Sequence, residues 1–413
     1  MAPVAAARTV AALAAAALVA AGCGEAGSTT RTSSDTLTIF VSLPLRGERA
    51  ATSAAILNGA KLALAEAGGR AGQFKLRFTV LDDSLVKGTD PARWDPGQTA
   101  ANARRAAQDR DAIAYIGEVD SGATAISVPI TNEAGILQVS PASTYTGLTR
   151  GDGGDKGEPE KYYPSGTRTF GRIVPGDQVQ APALVQLLRK RGAHRIFIVR
   201  DADTYAGRLA AAIARRGRAD GLRVVGDGLV ADDPAAAADV AREIVTSRAD
   251  AVVYTGGPAA APALWRAVRA AKPDLTLFGT AALADARVAA QLGRSGARTF
   301  VTSPSLGIAQ LGADAKGFAA RYETRFHRKP PPYAVQGYEA MAVVIAAIRA
   351  AGARGDDRRE VIREFFRTER RRSVLGTYSI DVNGDTTLSQ IGAYRIVDGR
   401  LRPAEVLDPV SSP

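Results

Sequence analysis

Apolar runs of strand length alternate along this chain with stretches whose apolar residues recur at helical spacing. Residues 37–41 form a short apolar strand, and over 53–67 Ile56, Ala60, Ala63, Leu64 and Ala67 fall on one helical face. Residues 75–81 alternate as a strand. Asp95-Pro96 then predicts a helix start, an N-cap aspartate with proline at the first helical position, running to about Gln108. A buried strand over 112–116, a helix from about Gly122 and a strand over 136–139 complete a repeating βα series. Residues 150–169, rich in Gly, Lys, Glu and Pro, predict a long surface excursion. A second series follows, with helices over 179–191, 205–217, 235–247 and 260–271 and strands over 195–199, 222–230, 250–254, 275–279 and 298–302. Helical stretches over 312–327, 334–350 and 357–371 precede two strands, 376–382 and 390–397, joined through the turn signal Asn383-Gly384. The pattern is an α/β class fold of two doubly wound, mostly parallel sheets, each forming one lobe. The carboxyl ends of their strands meet at a shared cleft, where open α/β sheets bind ligands.

The N-terminal segment has a different pattern. Arg8 precedes an apolar stretch over 10–21 that is short for a transmembrane helix and matches a signal-peptide core. It ends Leu18-Val19-Ala20-Ala21-Gly22-Cys23, which resembles a bacterial lipobox, with Ala20 where leucine is usual. The expectation is a signal peptide over 1–22, a lipid on Cys23 and a flexible tether over 23–36. An ordinary secretory signal with an incidental cysteine is the alternative. Either places the protein outside the cytoplasmic membrane.

Composition narrows the function. The 413 residues and 46% hydrophobic content suit two sizeable cores. The formal charge of +11 is spread over many segments, and the densest run, Arg370-Arg371-Arg372 beside Glu364 and Glu369, predicts a solvated helix face rather than a nucleic-acid surface. One cysteine forms no internal disulfide or cysteine metal site, and His194 and His327 have no neighbour at metal-ligand spacing. No metal or cofactor is expected: the glycines of 150–169 do not match a phosphate-binding loop. In the carboxylate pairs Asp82-Asp83, Asp232-Asp233 and Asp356-Asp357, neighbours on a strand face opposite ways and those in loops are solvated; no Ser-His-Asp set is credible with two histidines and no Gly-x-Ser-x-Gly elbow occurs, so an enzyme is not expected.

Several segments carry a family resemblance. They are Leu57-Asn58-Gly59-Ala60-Lys61-Leu62-Ala63, Asp95-Pro96-Gly97-Gln98-Thr99-Ala100, Tyr115-Ile116-Gly117, Ser121-Gly122-Ala123-Thr124, and the stretch from Ala134 through Ser140-Pro141-Ala142-Ser143-Thr144. Gln336-Gly337-Tyr338-Glu339-Ala340 and Asp381-Val382-Asn383-Gly384-Asp385 follow. In this order they resemble type I periplasmic binding proteins, in the branch of the leucine/isoleucine/valine-binding proteins of ABC importers. The resemblance implies three crossings between lobes, near Pro175, Pro304 and Gly376. Lobe 1 is then 37–175 plus 305–376, lobe 2 is 176–304 plus 377–408, and 409–413 is a tail. It implies a small-molecule ligand, an ABC transporter permease as partner, and contact with the membrane through the lipid anchor.

The same resemblance nominates the ligand-binding residues. Ser121 and Gly122 lie where a strand ends and a helix begins, with unpaired N–H groups suited to a carboxylate; the alternative for Ser121 is a plain helix cap. Ser143 and Thr144 follow the next strand at the matching rim, or form a plain turn. Asp177 faces the ligand or stabilises the hinge turn, or else caps the helix starting near Val179. Tyr205 lines the cleft or sits in the core. Thr255 and Gly257 belong to a further cleft loop. Two departures matter. Ala281 occupies the position of the acidic residue that pairs an amino acid's ammonium, and Pro258 and Ala259 replace aromatic residues. Glu118 and Asp120 are the candidate substitute charges. Two other roles stay open: a sensing module that feeds a signalling receptor, and a scaffold lipoprotein with a vestigial cleft.

Overall fold

Buried apolar runs form the strands, and aspartates start many of the helices. The structure, a computed structural model, describes residues 30–84 and 94–409. The expected signal segment and Cys23 lie outside the described residues. In chain order the first lobe has β1 (Thr36–Leu43), α1 (Ala50–Glu66), β2 (Arg70–Ala71), β3 (Phe74–Asp82), α2 (Pro96–Gln108), β4 (Ala112–Ile116), α3 (Ser121–Glu133), β5 (Leu137–Ser140) and β6 (Phe170–Arg172). The strands order as β2-β3-β1-β4-β5-β6 and pair parallel, apart from the antiparallel pair β2–β3.

The second lobe follows: α4 (Asp177–Lys190), β7 (Arg195–Arg200), α5 (Thr204–Ala219), β8 (Arg223–Leu229), α6 (Pro234–Thr246), β9 (Ala251–Tyr254), α7 (Ala261–Ala271), β10 (Thr276–Gly279), α8 (Ala286–Leu292) and β11 (Thr299–Ser303). The chain then returns to the first lobe as α9 (Ala313–Phe326), α10 (Ala334–Ala350) and α11 (Arg358–Phe366), with a small ribbon of β12 (Arg371–Ser373) and β13 (Gly376–Tyr378). It ends in the second sheet as β14 (Ile391–Val397) and β15 (Arg400–Leu407). That sheet orders as β15-β14-β11-β10-β9-β7-β8. It is mixed rather than parallel throughout, because β14 runs antiparallel to both β11 and β15.

Local chemistry sets the element starts. Asp95, Asp203, Asp233, Asp285 and Asp357 each occupy an N-cap, where the side chain accepts N–H bonds from the next turn. The Gly59 and Gly337 segments have a packing reason. A Cβ on Gly59 would lie 2.0 Å from the Ala334 carbonyl oxygen, and one on Gly337 would lie 2.1 Å from that of Ile56. Only glycine lets α1 and α10 approach this closely over the first lobe's core.

The chain passes between sheets through residues 173–176, back through 304–312, and a last time between Leu388 and Ile391. This last passage comes later than the position expected near Gly376, because Tyr378, Ile380 and Leu388 still pack in the first lobe's core. The Asp381–Asp385 segment pins the passages together. Buried Arg172 bonds Asp385 Oδ1 at 2.8 Å, the Tyr145 carbonyl at 2.8 Å and Thr149 Oγ1 at 2.7 Å. Arg150 Nε reaches Asp385 Oδ2 at 2.6 Å. Burial alone would raise the Asp385 carboxyl, but Arg172 and Arg150 hold it below the usual carboxylate range.

Four further expectations change. Residues 150–169 are not a simple surface excursion: Tyr145, Leu148, Tyr162, Tyr163 and Phe170 form a buried cluster there. Tyr145 and Tyr162 turn inward because a buried carboxylate, Glu158, accepts their hydroxyls, at 2.6 Å from Tyr162, while Tyr163 donates to the Leu148 carbonyl at 2.7 Å. The helix predicted over 357–371 stops at Phe366, and Arg370 to Arg372 are not a solvated helix face. Arg371 belongs to β12 and neutralises buried Glu339 at 2.6 Å. Asn383-Gly384 does turn, but β13 pairs with β12, and the hairpin lies at Asp398-Gly399, both at positive φ as a two-residue hairpin turn requires. Finally, the expected tether is docked from Thr30 onward, with Arg31 paired to Asp356 at 2.8 Å.

Candidate ligand-binding cleft

The carboxyl ends of both sheets face a cavity of about 600 Å³. The first lobe supplies the wall around α3. Ser121 is its first residue, and Asp120, at the N-cap, makes no capping bond because Arg49 holds it at 2.7 Å. The side chain thus leaves the first-turn N–H groups of α3 turned toward the cavity. Ser121 Oγ accepts bonds from the backbone N–H groups of Thr144 and Tyr145, each at 3.2 Å. Its lone pairs are engaged, so the hydroxyl proton is the part left to donate into the cavity. Ser121 is therefore neither a plain cap nor idle. Trp94 packs against Gly122, where a Cβ would come 2.7 Å from the indole.

The second lobe supplies the opposite wall. Thr255 and Gly257 line it after β9. Thr255 Oγ1 donates to the Ala206 carbonyl at 2.9 Å, and Gly257 N–H donates to Asp201 Oδ2 at 2.7 Å. These bonds fix the loop so that it presents small surfaces, continued by Pro258, Ala259, Ala281 and Ala282. Asp203 and Asp285 also border the cavity, as the N-caps of α5 and α8.

The lobes touch across the cleft. Thr144 Oγ1 and Tyr205 Oη lie 2.7 Å apart, and Tyr205 Oη donates to Asp177 Oδ1 at 3.1 Å. With the tyrosine proton on Asp177, the threonine proton points to the tyrosine. Arg287 Nη2 reaches the Glu48 carbonyl at 2.8 Å at another point of the cleft.

The structure brings Ser121, Gly122, Thr144, Tyr205, Thr255 and Gly257 to one cavity but leaves Ser143, Asp177 and Glu118 behind its wall. Ser143 is fully buried, bonded to Thr124 Oγ1 at 2.5 Å and to the Glu118 carbonyl at 3.2 Å; it holds the loop that carries Thr144. Asp177 is the first residue of α4, after the N-cap Gly176, so it is not the helix cap; at this crossing it accepts bonds from Tyr205 and Gln180. Burial raises its carboxyl to about 7, against the pull of Arg172. Glu118 is fully buried, and burial, reinforced by Asp83, raises its carboxyl well above the usual range. A neutral acid behind the wall supplies no charge to a ligand, which corrects the expectation for Glu118. His194 and His327 lie away from the cavity.

Sequence reasoning missed Trp94, Arg49, Tyr333, Arg266 and Arg287, all of which line the cavity. Trp94 had one usable signal: it is one of two tryptophans and immediately precedes the capped helix start at Asp95. Arg49 and Tyr333 come from the segments just before α1 and α10, and Arg266 and Arg287 from α7 and α8, where an arginine reads as an ordinary solvated helix residue.

A two-lobed α/β protein whose cavity lies between its lobes, walled by a helix N-terminus and small residues, has the form of a solute-binding protein. The family model described as a periplasmic binding protein matches residues 36–399, and the chain belongs to that family. The Leu/Ile/Val-binding protein BraC3 of Rhizobium johnstonii is 24% identical over 373 residues, covering 89% of this chain and 94% of the relative. The leucine binding protein LivK of Thermotoga maritima shares the fold at a TM-score of 0.76 and 22% identity, over 90% of this chain and 99% of that one. An ABC transporter solute binding protein of R. palustris, solved with benzoate, matches at a TM-score of 0.73 and 20% identity, over 90% and 96%. The family is extracytoplasmic, and among the described residues no helix is long and apolar enough to cross a membrane.

Proposed function

We propose that this protein captures a small carboxylate-bearing solute between its lobes and delivers it to the permease of an ABC importer, held at the membrane by a lipid on Cys23. The observation that carries the ligand class is the asymmetry of the cavity. On the first lobe, the start of α3 and the Ser121 hydroxyl present donors suited to a carboxylate. On the second, Ala281 and Ala282 face the cavity, while Asp203 and Asp285 accept N–H bonds of their own helices and Asp120 is held by Arg49. Among the described residues the second-lobe cavity carboxylate without an ion-pair partner is Asp232, which is exposed, so an α-ammonium buried against the alanines is unpaired there, at a cost of several kcal/mol. LivK is a leucine binding protein and the R. palustris protein holds benzoate, so the fold accommodates carboxylates with and without an α-ammonium. The cavity here favours the second kind.

A thermal-shift screen of aliphatic and aromatic carboxylates, amides and the branched-chain amino acids tests the ligand class. A carboxylate at a hundred times its Kd should stabilise the protein by about 2.7 kcal/mol, and Ser121→Ala should abolish most of that shift. Micromolar binding of leucine, isoleucine or valine, with no carboxylate binding, would overturn the reading. Cys23→Ser should release the protein from the membrane fraction, and unchanged membrane association would remove the anchor.

A further inference from the structure

We infer that Arg266 is a specificity-determining residue that takes a second, distal anionic group of the ligand, so that the preferred solute is a dicarboxylate. The inference rests on the carboxylate reading of the cavity and extends it.

Each of the other two cavity arginines has a partner. Arg49 is held by Asp120 at 2.7 Å, and Arg287 lies beside Asp285 at 3.5 Å while donating to the Glu48 carbonyl. Arg266, on the exposed side of α7, also borders the cavity, yet among the described residues it has neither a hydrogen-bond partner nor a carboxylate within ion-pair distance. Its guanidinium is a rigid fork of donors matched to a carboxylate.

The two anion points border one cavity. Arg266 belongs to the second lobe and the start of α3 to the first, so a ligand touching both spans the cleft. The second lobe's wall includes the small residues Pro258, Ala259, Ala281 and Ala282. A cavity of about 600 Å³ exceeds what a single carboxylate needs. A dicarboxylate would engage a first-lobe helix at one end and a second-lobe cation at the other, which couples its binding to closure.

One charge opposes this arrangement. Asp232, on the loop before α6, also borders the cavity and has no ion-pair partner among the described residues. It disfavours a second anion nearby, so removing its charge has a predicted sign.

The experiment is calorimetric titration of the full mature chain with matched pairs of probes: pentanoate against glutarate, and benzoate against terephthalate. Wild type should bind at least one dicarboxylate tenfold or more tighter than its monocarboxylate partner. Arg266→Gln should lose that advantage while leaving monocarboxylate affinity unchanged, and Asp232→Asn should strengthen dicarboxylate binding. Equal binding of the two members of each pair, or an Arg266→Gln variant that retains the preference, overturns the inference while leaving the carboxylate reading intact. Binding of none of the four probes overturns the inference too, and counts against the carboxylate reading as well. Because Arg266 is exposed and unpaired, the variant should melt at the wild-type temperature, and a shared loss of all binding with altered melting would contradict its assignment as a ligand contact.

Discussion

The hydroxyls of Thr144 and Tyr205, one from each lobe, meet at 2.7 Å across the cleft, and the tyrosine passes on to Asp177 at 3.1 Å. This relay joins the loop after β5 to α5 and to the start of α4, the first helix after the chain leaves the first lobe. It places a lobe-to-lobe contact on the wall of the ligand cavity, beside Ser121, whose Oγ accepts the Thr144 N–H at 3.2 Å.

Tyr205→Phe keeps the ring and deletes the relay. A hydrogen bond to a charged or buried partner is worth roughly 1–3 kcal/mol, so ligand affinity should fall by about tenfold or more. Titration of the variant with the best ligand from the carboxylate screen checks this. Unchanged affinity would mean that the contact plays no part in closure.

Ser121→Ala should act on both stability and binding. The backbone N–H groups of Thr144 and Tyr145 lose their acceptor at 3.2 Å in a buried setting. A loss of about 1–3 kcal/mol in denaturant unfolding is expected, together with weaker ligand binding. Stability loss without binding loss would assign Ser121 a loop-holding role alone.

Asp177 predicts a pH effect. Its folded carboxyl is raised to about 7, so the folded state binds more protons than the unfolded state between the unfolded value, about 4, and pH 7. The sign follows: stability contributed at low pH is lost as pH rises through that window. Asp177→Asn should flatten this part of the curve, because the amide oxygen still accepts from Tyr205 and from Gln180 Nε2, which bonds Asp177 at 2.9 Å. Thermal melts from pH 4 to 8 on both proteins measure the difference. Parallel curves would place the pH dependence elsewhere, Asp83 being the next buried acid raised to about 7.

Gly59→Ala tests the packing of the first lobe. The added Cβ would overlap the Ala334 carbonyl at 2.0 Å, and neither helix backbone can yield locally. A loss of about 3 kcal/mol or more is expected, at the upper end of overpacking effects. Gly68, at φ +65 with open space around it, is the contrasting site, where alanine costs only the backbone term.

The βα alternation and the two sheets were readable because buried parallel strands leave near-continuous apolar runs, and because Asp-Pro and Asp caps mark helix starts. What stayed hidden depends on partners distant in sequence. Arg371 reads as a solvated residue until Glu339 is placed beneath it. Tyr162 and Tyr163 read as part of a surface excursion until Glu158 accepts the hydroxyl of one and the Leu148 carbonyl that of the other. At the site, residues following strand ends were found by position, but position alone could not separate Thr144, which faces the cavity, from Ser143, which turns inward to Thr124. The hairpin at Asp398-Gly399 was legible and overlooked, because Asn383-Gly384 offered the same signal a few residues earlier.

Small-angle X-ray scattering of the mature chain, without ligand and at saturation with the tightest carboxylate from the screen, tests the clamp most directly. The lobes are joined by connecting segments near the cleft and meet over the cavity through Thr144–Tyr205 and Arg287–Glu48. A ligand that contacts both walls binds the closed form better and shifts the population toward it. The account predicts a smaller radius of gyration with ligand, and a weaker compaction in Tyr205→Phe. Tight binding with an unchanged radius of gyration would contradict it.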